Sequence, residues 1–189
     1  GDRVLIVGAS GGVGTFAVQL AKSLGAHVTG VCSTRNLELV RSIGADEVVD
    51  YTREDFTESR ARYDVIFQLA GTASPRACRR ALSRAGTLIL SSGDSPGRFV
   101  GPMGRVVKAR LLSLFVSQRL ELLEAKPNAG DLEALRKLID GGSVTPVIEQ
   151  TYPLEEAAAA IRHLETGRAR GKLVISVATD ASAQTRAAS

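Results

Sequence analysis

A chain of 189 residues, 44% apolar and 23% charged, has the size and mixture of one globular domain, or of one domain with an appendage. No apolar run approaches the ~18 residues that span a bilayer, and no basic-then-apolar leader opens the chain, so a soluble, cytoplasmic protein with no membrane partner is expected. The net charge of +4 is scattered, and with only 4% aromatics no stacking platform accompanies it, which argues against nucleic acid as a partner.

The predicted elements alternate. Residues 4–7 are a continuous apolar run, the pattern of a strand buried on both faces. A Gly/Ser turn follows. From residue 13 to 24 the apolar positions recur at helical spacing, and Gly25 stops the helix. Strands are predicted at 28–32 and 47–49, with a short helix at 37–43 between them. Further strands are predicted at 65–70, 87–90, 111–116, 147–150 and 173–177. Helices are predicted at 73–82, 132–139 and 154–164. A Gly- and Pro-rich loop fills 92–104. Short apolar strands joined by helices imply parallel pairing, since a parallel connection needs a crossover. The expected fold is therefore a doubly wound α/β sheet of Rossmann type, with strand order 3-2-1-4-5-6 and helices on both faces.

Arginines such as Arg76, Arg79, Arg80 and Arg84 read as solvated helix faces. Cys32 and Cys78 form no CxxC pair and stand away from His27 and His163, so no metal site is expected and both thiols read as small core groups. The chain opens on Gly1 and reaches an apolar strand by Val4, which reads as a piece cut from a longer protein.

The informative segment is Gly8-Ala9-Ser10-Gly11-Gly12-Val13-Gly14, between a predicted strand and a predicted helix. In the register A-x-G-x-x-G, Ala9 and Gly11 allow a tight turn and the close approach of a pyrophosphate. Gly14, without a Cβ, lets the helix pack close on the strand. The free N–H groups at the helix start, with its dipole, favour an anion. A second register, Gly8, Gly12, Gly14, resembles short-chain dehydrogenases. Those carry a Tyr-x-x-x-Lys pair, but four residues after Tyr51, Tyr63 and Tyr152 stand Asp55, Phe67 and Glu156. The first register is therefore preferred.

The end of the second strand separates NAD from NADP. An Asp or Glu there would bond the ribose 2′-hydroxyl and repel a 2′-phosphate. This chain has Ser33 instead, with Arg35 two residues on. A hydroxyl and a guanidinium suit a phosphate, so NADPH is the expected cofactor.

With these residues together the chain resembles the cofactor-binding domain of medium-chain dehydrogenase/reductases, in particular their zinc-independent, quinone oxidoreductase-like branch. The resemblance rests on the first strand, on Ala9-Ser10-Gly11-Gly12-Val13-Gly14, on Gln19-Leu20-Ala21-Lys22, on Gly44-Ala45-Asp46-Glu47-Val48-Val49-Asp50-Tyr51 and on Gly171-Lys172-Leu173-Val174-Ile175. It implies that Ser33 and Arg35 hold the 2′-phosphate and that Tyr51 lies near the adenosine phosphate end. Many relatives carry a Lys where this chain has Asn36, so part of that phosphate clamp is missing. Ala70 and Gly71 are implied to border the ribose and nicotinamide side, Ser91, Gly93, Phe115 and Ser117 to flank the nicotinamide, and Lys172 to approach the cofactor.

The resemblance also implies an N-terminal GroES-like substrate domain ahead of Gly1. Residues 1–146 would be the dinucleotide-binding domain, 147–178 a segment that returns toward that substrate domain, and 179–189 a disordered tail. The intact protein would pass hydride to a quinone, an enone or another carbonyl-activated small molecule, and this chain alone would be inactive. The alternative is a module that senses NADP(H) without turnover. No proton donor is identified. Residues 111–116 form an uncharged, proline-free apolar run expected at the sheet edge, and relatives join such edges, so a homodimer through this strand is expected.

Overall fold

The computed structural model describes residues 1–71, 73–91, 117–123 and 126–177. Six strands form one sheet: β1 (Arg3–Val7), β2 (His27–Cys32), β3 (Glu47–Asp50), β4 (Tyr63–Gln68), β5 (Leu82–Ser91) and β6 (Arg119–Leu123). Their order is 3-2-1-4-5-6, and every pairing is parallel. The expected Rossmann-type sheet is present.

Strand periodicity divides the core into two layers. Leu5, Val7, Val31, Ile66 and Leu88 face one side, where Cys78 and Ala81 of helix α3 (Pro75–Ala81) meet them. Ile6, Val28 and Cys32 face the other, against Val18 of α1 (Gly14–Ser23) and Val40 of α2 (Leu37–Ser42). Burying each of these aliphatic side chains contributes roughly 1.5–3 kcal/mol before entropy is charged against it. Cys32 and Cys78 are both buried in these layers, as expected.

Two elements depart from the sequence expectation. The sixth strand is Arg119–Leu123, a segment predicted to be no strand at all. Its residues alternate charged and apolar: Leu120 packs on the core, while Arg119 and Glu121 mark it as an edge strand. The predicted strand 111–116, and the dimer contact assigned to it, lie outside the described residues. So does the tail at 179–189. The predicted helix 73–82 ends one residue early, and Leu82 starts β5 directly, with a register irregularity opposite Tyr63 and Val65.

The C-terminal part forms helix α4 (Ala129–Asp140), strand β7 (Ile148–Pro153), helix α5 (Ala157–Glu165) and strand β8 (Lys172–Ser176). β7 and β8 pair in parallel as a separate two-stranded sheet. The buried Gln19 of α1 ties this part to the first βαβ unit. Its amide nitrogen donates to the Thr145 carbonyl at 3.0 Å, and its oxygen accepts from the Thr145 N–H at 2.7 Å.

A second tie joins α1 to the β2 and β3 starts. Lys22 Nζ lies 2.8 Å from Asp46, whose carboxylate also accepts from the Val28 N–H at 2.7 Å. The Lys22 bond first, then the Val28 N–H, hold the Asp46 carboxyl below the usual carboxylate range. A depressed carboxyl contributes stability that is present above its unfolded value near ~3.9 and is lost as pH falls through the lower folded value. Asp46→Asn should therefore lower the midpoint of urea unfolding at pH 7 and lose less further stability than the parent below about pH 4. Unfolding curves from pH 7 to 2 check this; parallel acid limbs for the two proteins would contradict it.

Candidate functional site

The site begins where β1 ends. Gly8 has φ +88°, a left-handed conformation that only glycine adopts without strain. This turns the chain so that the N–H groups of Gly8 and Ala9 both donate to the Val31 carbonyl, at 3.0 and 3.1 Å. The loop is thereby bolted to β2. Gly14 then opens α1. A Cβ on Gly14 would stand 2.1 Å from the Gly8 carbonyl oxygen and 2.8 Å from Ala9 backbone atoms. The close approach expected at Gly14 is present, but it is made to the loop just past β1 rather than to the strand itself.

Two connected cavities open above this loop, at the carboxyl ends of β1, β2 and β4. One, of about 470 Å³, is lined by Ser10, Gly11, Ser33, Arg35, Tyr51 and Ala70, together with Gly8, Cys32, Thr34, Asn36 and Gly167–Ala169. The other, of about 690 Å³, shares Gly8, Tyr51 and Ala70 and adds Gly71 and residues 52–56. They meet where the sheet order reverses between β1 and β4, the place where open α/β sheets bind ligands.

Seven of the residues singled out in the sequence therefore line the cleft: Ser10, Gly11, Ser33, Arg35, Tyr51, Ala70 and Gly71. The others are placed differently. Ala9 is buried in the core layer under the loop. Gly12 lies beneath the C-terminal segment, where a Cβ would meet the Gly171 carbonyl at 3.1 Å and Lys172 Nζ at 3.2 Å. Val13 is exposed ahead of α1. Lys172 reaches over the Phe16 ring at 5.7 Å and lines neither cavity. Ser91 ends β5 and Ser117 precedes β6, both away from the two cavities. Gly93 and Phe115 lie outside the described residues.

Sequence reasoning missed the loop before β8. The Gly171 N–H donates to the Ser10 carbonyl at 2.9 Å, and Arg35 donates to the Arg168 carbonyl. Gly167, Arg168 and Ala169 thus form one wall of the first cavity. The signal was present: Gly167 and Gly171 bracket a short basic stretch.

The lining of the first cavity carries no carboxylate, whereas Glu54 and Asp55 line the second beside Arg53. The first cavity's basic residues are Arg35 and Arg168, its hydroxyl residues Ser10, Ser33, Thr34 and Tyr51. Asp50, at the end of β3, spends its oxygens on Thr34, on Thr52 and on the Thr52 N–H. These bonds, that of Thr34 foremost, hold its carboxyl below the ordinary range. The Cys32 thiol is pushed up to about 11, first by burial and then by Asp50. The first cavity is a hydroxyl-lined site with basic residues, suited to an anion.

A parallel 3-2-1-4-5-6 sheet with a glycine turn under an anion cleft at its switch point defines a dinucleotide-binding domain. The family described as zinc-binding dehydrogenase matches residues 43–175, and the chain belongs to it, as a cofactor-binding domain of the medium-chain dehydrogenase/reductase type. A mitochondrial NAD(P)H oxidoreductase of Mus musculus is 37% identical over 94% of this chain and 48% of its own length. A trans-enoyl reductase of Aspergillus terreus is 31% identical over 94% of this chain and 52% of its own. The solved quinone oxidoreductase of Coxiella burnetii superposes with a TM-score of 0.80 at 31% identity, over 94% of this chain and 53% of that one. The chain thus spans about half the length of the relatives it matches. The family is one of oxidoreductases. No helix among the described residues is long and apolar enough to cross a membrane. No group of three His, Cys, Asp or Glu stands together among them to hold a metal.

The two loop glycines should separate on substitution. Gly14→Ala should cost about 1–3 kcal/mol of stability through the clash with Gly8 and abolish nucleotide binding. At Gly11 a Cβ meets only the Gly8 carbonyl, at 3.4 Å. Gly11→Ala should melt close to the parent and still bind a dinucleotide more weakly, because its methyl projects where the pyrophosphate must approach. Thermal melts and nucleotide titrations of both variants check this pair.

Proposed function

We propose that this chain binds NADPH in the cleft over Gly8–Gly14 and that the intact protein transfers hydride to a carbonyl-activated alkene or a quinone. The carrying observation is the chemistry of the first cavity: Arg35, Arg168 and four hydroxyl residues, with no acidic residue in its lining. A free ribose 2′-hydroxyl is usually received by an Asp or Glu at the end of β2. Ser33 stands there, and the guanidinium of Arg35 is two residues on.

The donor set fits the cofactor. Arg35 commits one N–H to the Arg168 carbonyl and keeps the rest of its five donors for a phosphate. Arg168 lines the same cavity, and its carbonyl receives that bond. Gly11 presents bare backbone to a pyrophosphate, and α1 points its N-terminus at it. Tyr51 and residues 52–56 border the room left for the adenosine half, and Ala70 and Gly71 lead toward the β4 side. When bound, the nicotinamide supplies the hydride; this chain supplies binding and orientation. The substrate class rests on the relatives, whose names are those of an enoyl reductase and a quinone oxidoreductase.

Arg35→Ala should weaken NADPH about 10- to 150-fold, the range of a charged hydrogen bond, and leave NADH within about twofold. Calorimetric titration of both nucleotides into both proteins tests it. Equal losses for the two, or a parent that prefers NADH, would end the NADPH assignment. The chain alone should bind NADPH yet reduce neither enones nor quinones. Turnover by this chain alone would show that no second domain is needed.

A further inference from the structure

Asn36 occupies the position just before α2, where an asparagine ordinarily accepts a bond from the first turn of the helix and stabilises it by about 1 kcal/mol. It makes no such cap. Its carbonyl oxygen Oδ1 is buried with no hydrogen-bond partner, and the residue is 5% exposed. The amide instead turns toward the cleft. Its nitrogen donates to Ser10 Oγ at 2.9 Å and to Ser33 Oγ at 3.2 Å.

An amide nitrogen carries two protons. Here one goes to each serine oxygen. Each hydroxyl, having accepted from Asn36, retains its own proton, and that proton cannot point back along the same bond. Both serines line the first cavity. We infer that Asn36 is a positioning residue that sets the Ser10 and Ser33 hydroxyls as a matched pair of donors toward two phosphates of one ligand. Ser10 faces the pyrophosphate from the glycine loop, and Ser33 faces the ribose phosphate from the end of β2. The inference rests on the NADPH reading for the Ser33 half only; the Ser10 half holds for any dinucleotide. A lysine at this position would bring charge to one phosphate. The asparagine uses a neutral side chain to orient two hydroxyls, and chained donors of this kind polarise one another.

The test is a double-mutant cycle read by calorimetry on the full chain, with NADPH and NADH as probes and thermal melts alongside. Asn36→Leu should weaken NADPH about tenfold or more and NADH about threefold, one oriented hydroxyl donor being lost for NADH and two for NADPH. Adding Ser33→Ala to Asn36→Leu should change the NADPH-to-NADH ratio by less than twofold, although Ser33→Ala alone lowers it. Adding Ser10→Ala should likewise cost NADH nothing further. If Asn36→Leu overpacks its site and fails to fold, Asn36→Ala takes its place in the cycle. Affinities unchanged beside a lowered melting temperature would reduce Asn36 to a structural role and overturn the inference. So would losses at Asn36 and the serines that simply add. A parent that prefers NADH removes the 2′-phosphate reading, while the Ser10 arm with NADH still decides the role of Asn36.

Discussion

The carbonyl oxygen of Gly8 occupies the space that a side chain at position 14 would need. That one exclusion sets how α1 leaves the loop. Because Gly8 and Ala9 are both bonded to Val31, the loop is fixed to β2 before the helix begins. Helix, loop and the two central strands therefore move as one body. The helix N-terminus and the bare backbone of Gly11 are held under the point where the sheet order reverses. A ligand anion gains most from N–H dipoles that need no rearrangement, since the ordering cost has been met by the fold.

The wall opposite the glycine loop comes from far along the chain. β8 takes no part in the main sheet, yet the loop ahead of it bonds to Ser10 and Arg35. Two fixtures keep that loop in place. Gln19 receives and donates at Thr145, anchoring the segment before β7 to α1. Glu149 on β7 accepts from the Arg170 backbone at 2.7 Å and from its side chain at 3.1 Å, and lies 3.5 Å from His163, which shares a hydrogen bond with the Tyr152 hydroxyl. Arg168 is thus carried by a braced loop, so its backbone needs no further ordering when a ligand arrives.

The central fold was legible because its strands obey the simplest rule. β1, β2 and β4 are buried on both faces and show as apolar runs between glycine turns. The edge was not legible for the converse reason. β6 is half covered, so Arg119 and Glu121 break its apolar pattern, while the stronger run at 111–116 drew the assignment. The site divides in the same way. Ser10, Gly11, Ser33 and Arg35 could be read because each follows its strand within a few residues. Arg168 could not, because its place depends on Gln19 and Glu149 contacts that no local pattern encodes. Asn36 was read as a gap in a phosphate clamp. Its neighbours Ser10 and Ser33, 26 and three residues away in sequence, show what the side chain does instead.

Selectivity in such a cleft depends on what is withheld as much as on what is offered. Two carboxylic or thiol groups stand close enough to oppose a phosphate, and each is silenced by its own environment. Asp50 is drawn to Thr34, Thr52 and Arg53, away from the lining. Burial, and then the nearby Asp50, raise the Cys32 thiol further above neutrality. Asp50 also pins the Thr34 turn that carries Arg35 onto the rim. The carboxylates that remain at the cleft, Glu54 and Asp55, line the second cavity and not the one that holds Arg35. In a partly enclosed site the charge of Arg35 is less screened than on an open surface.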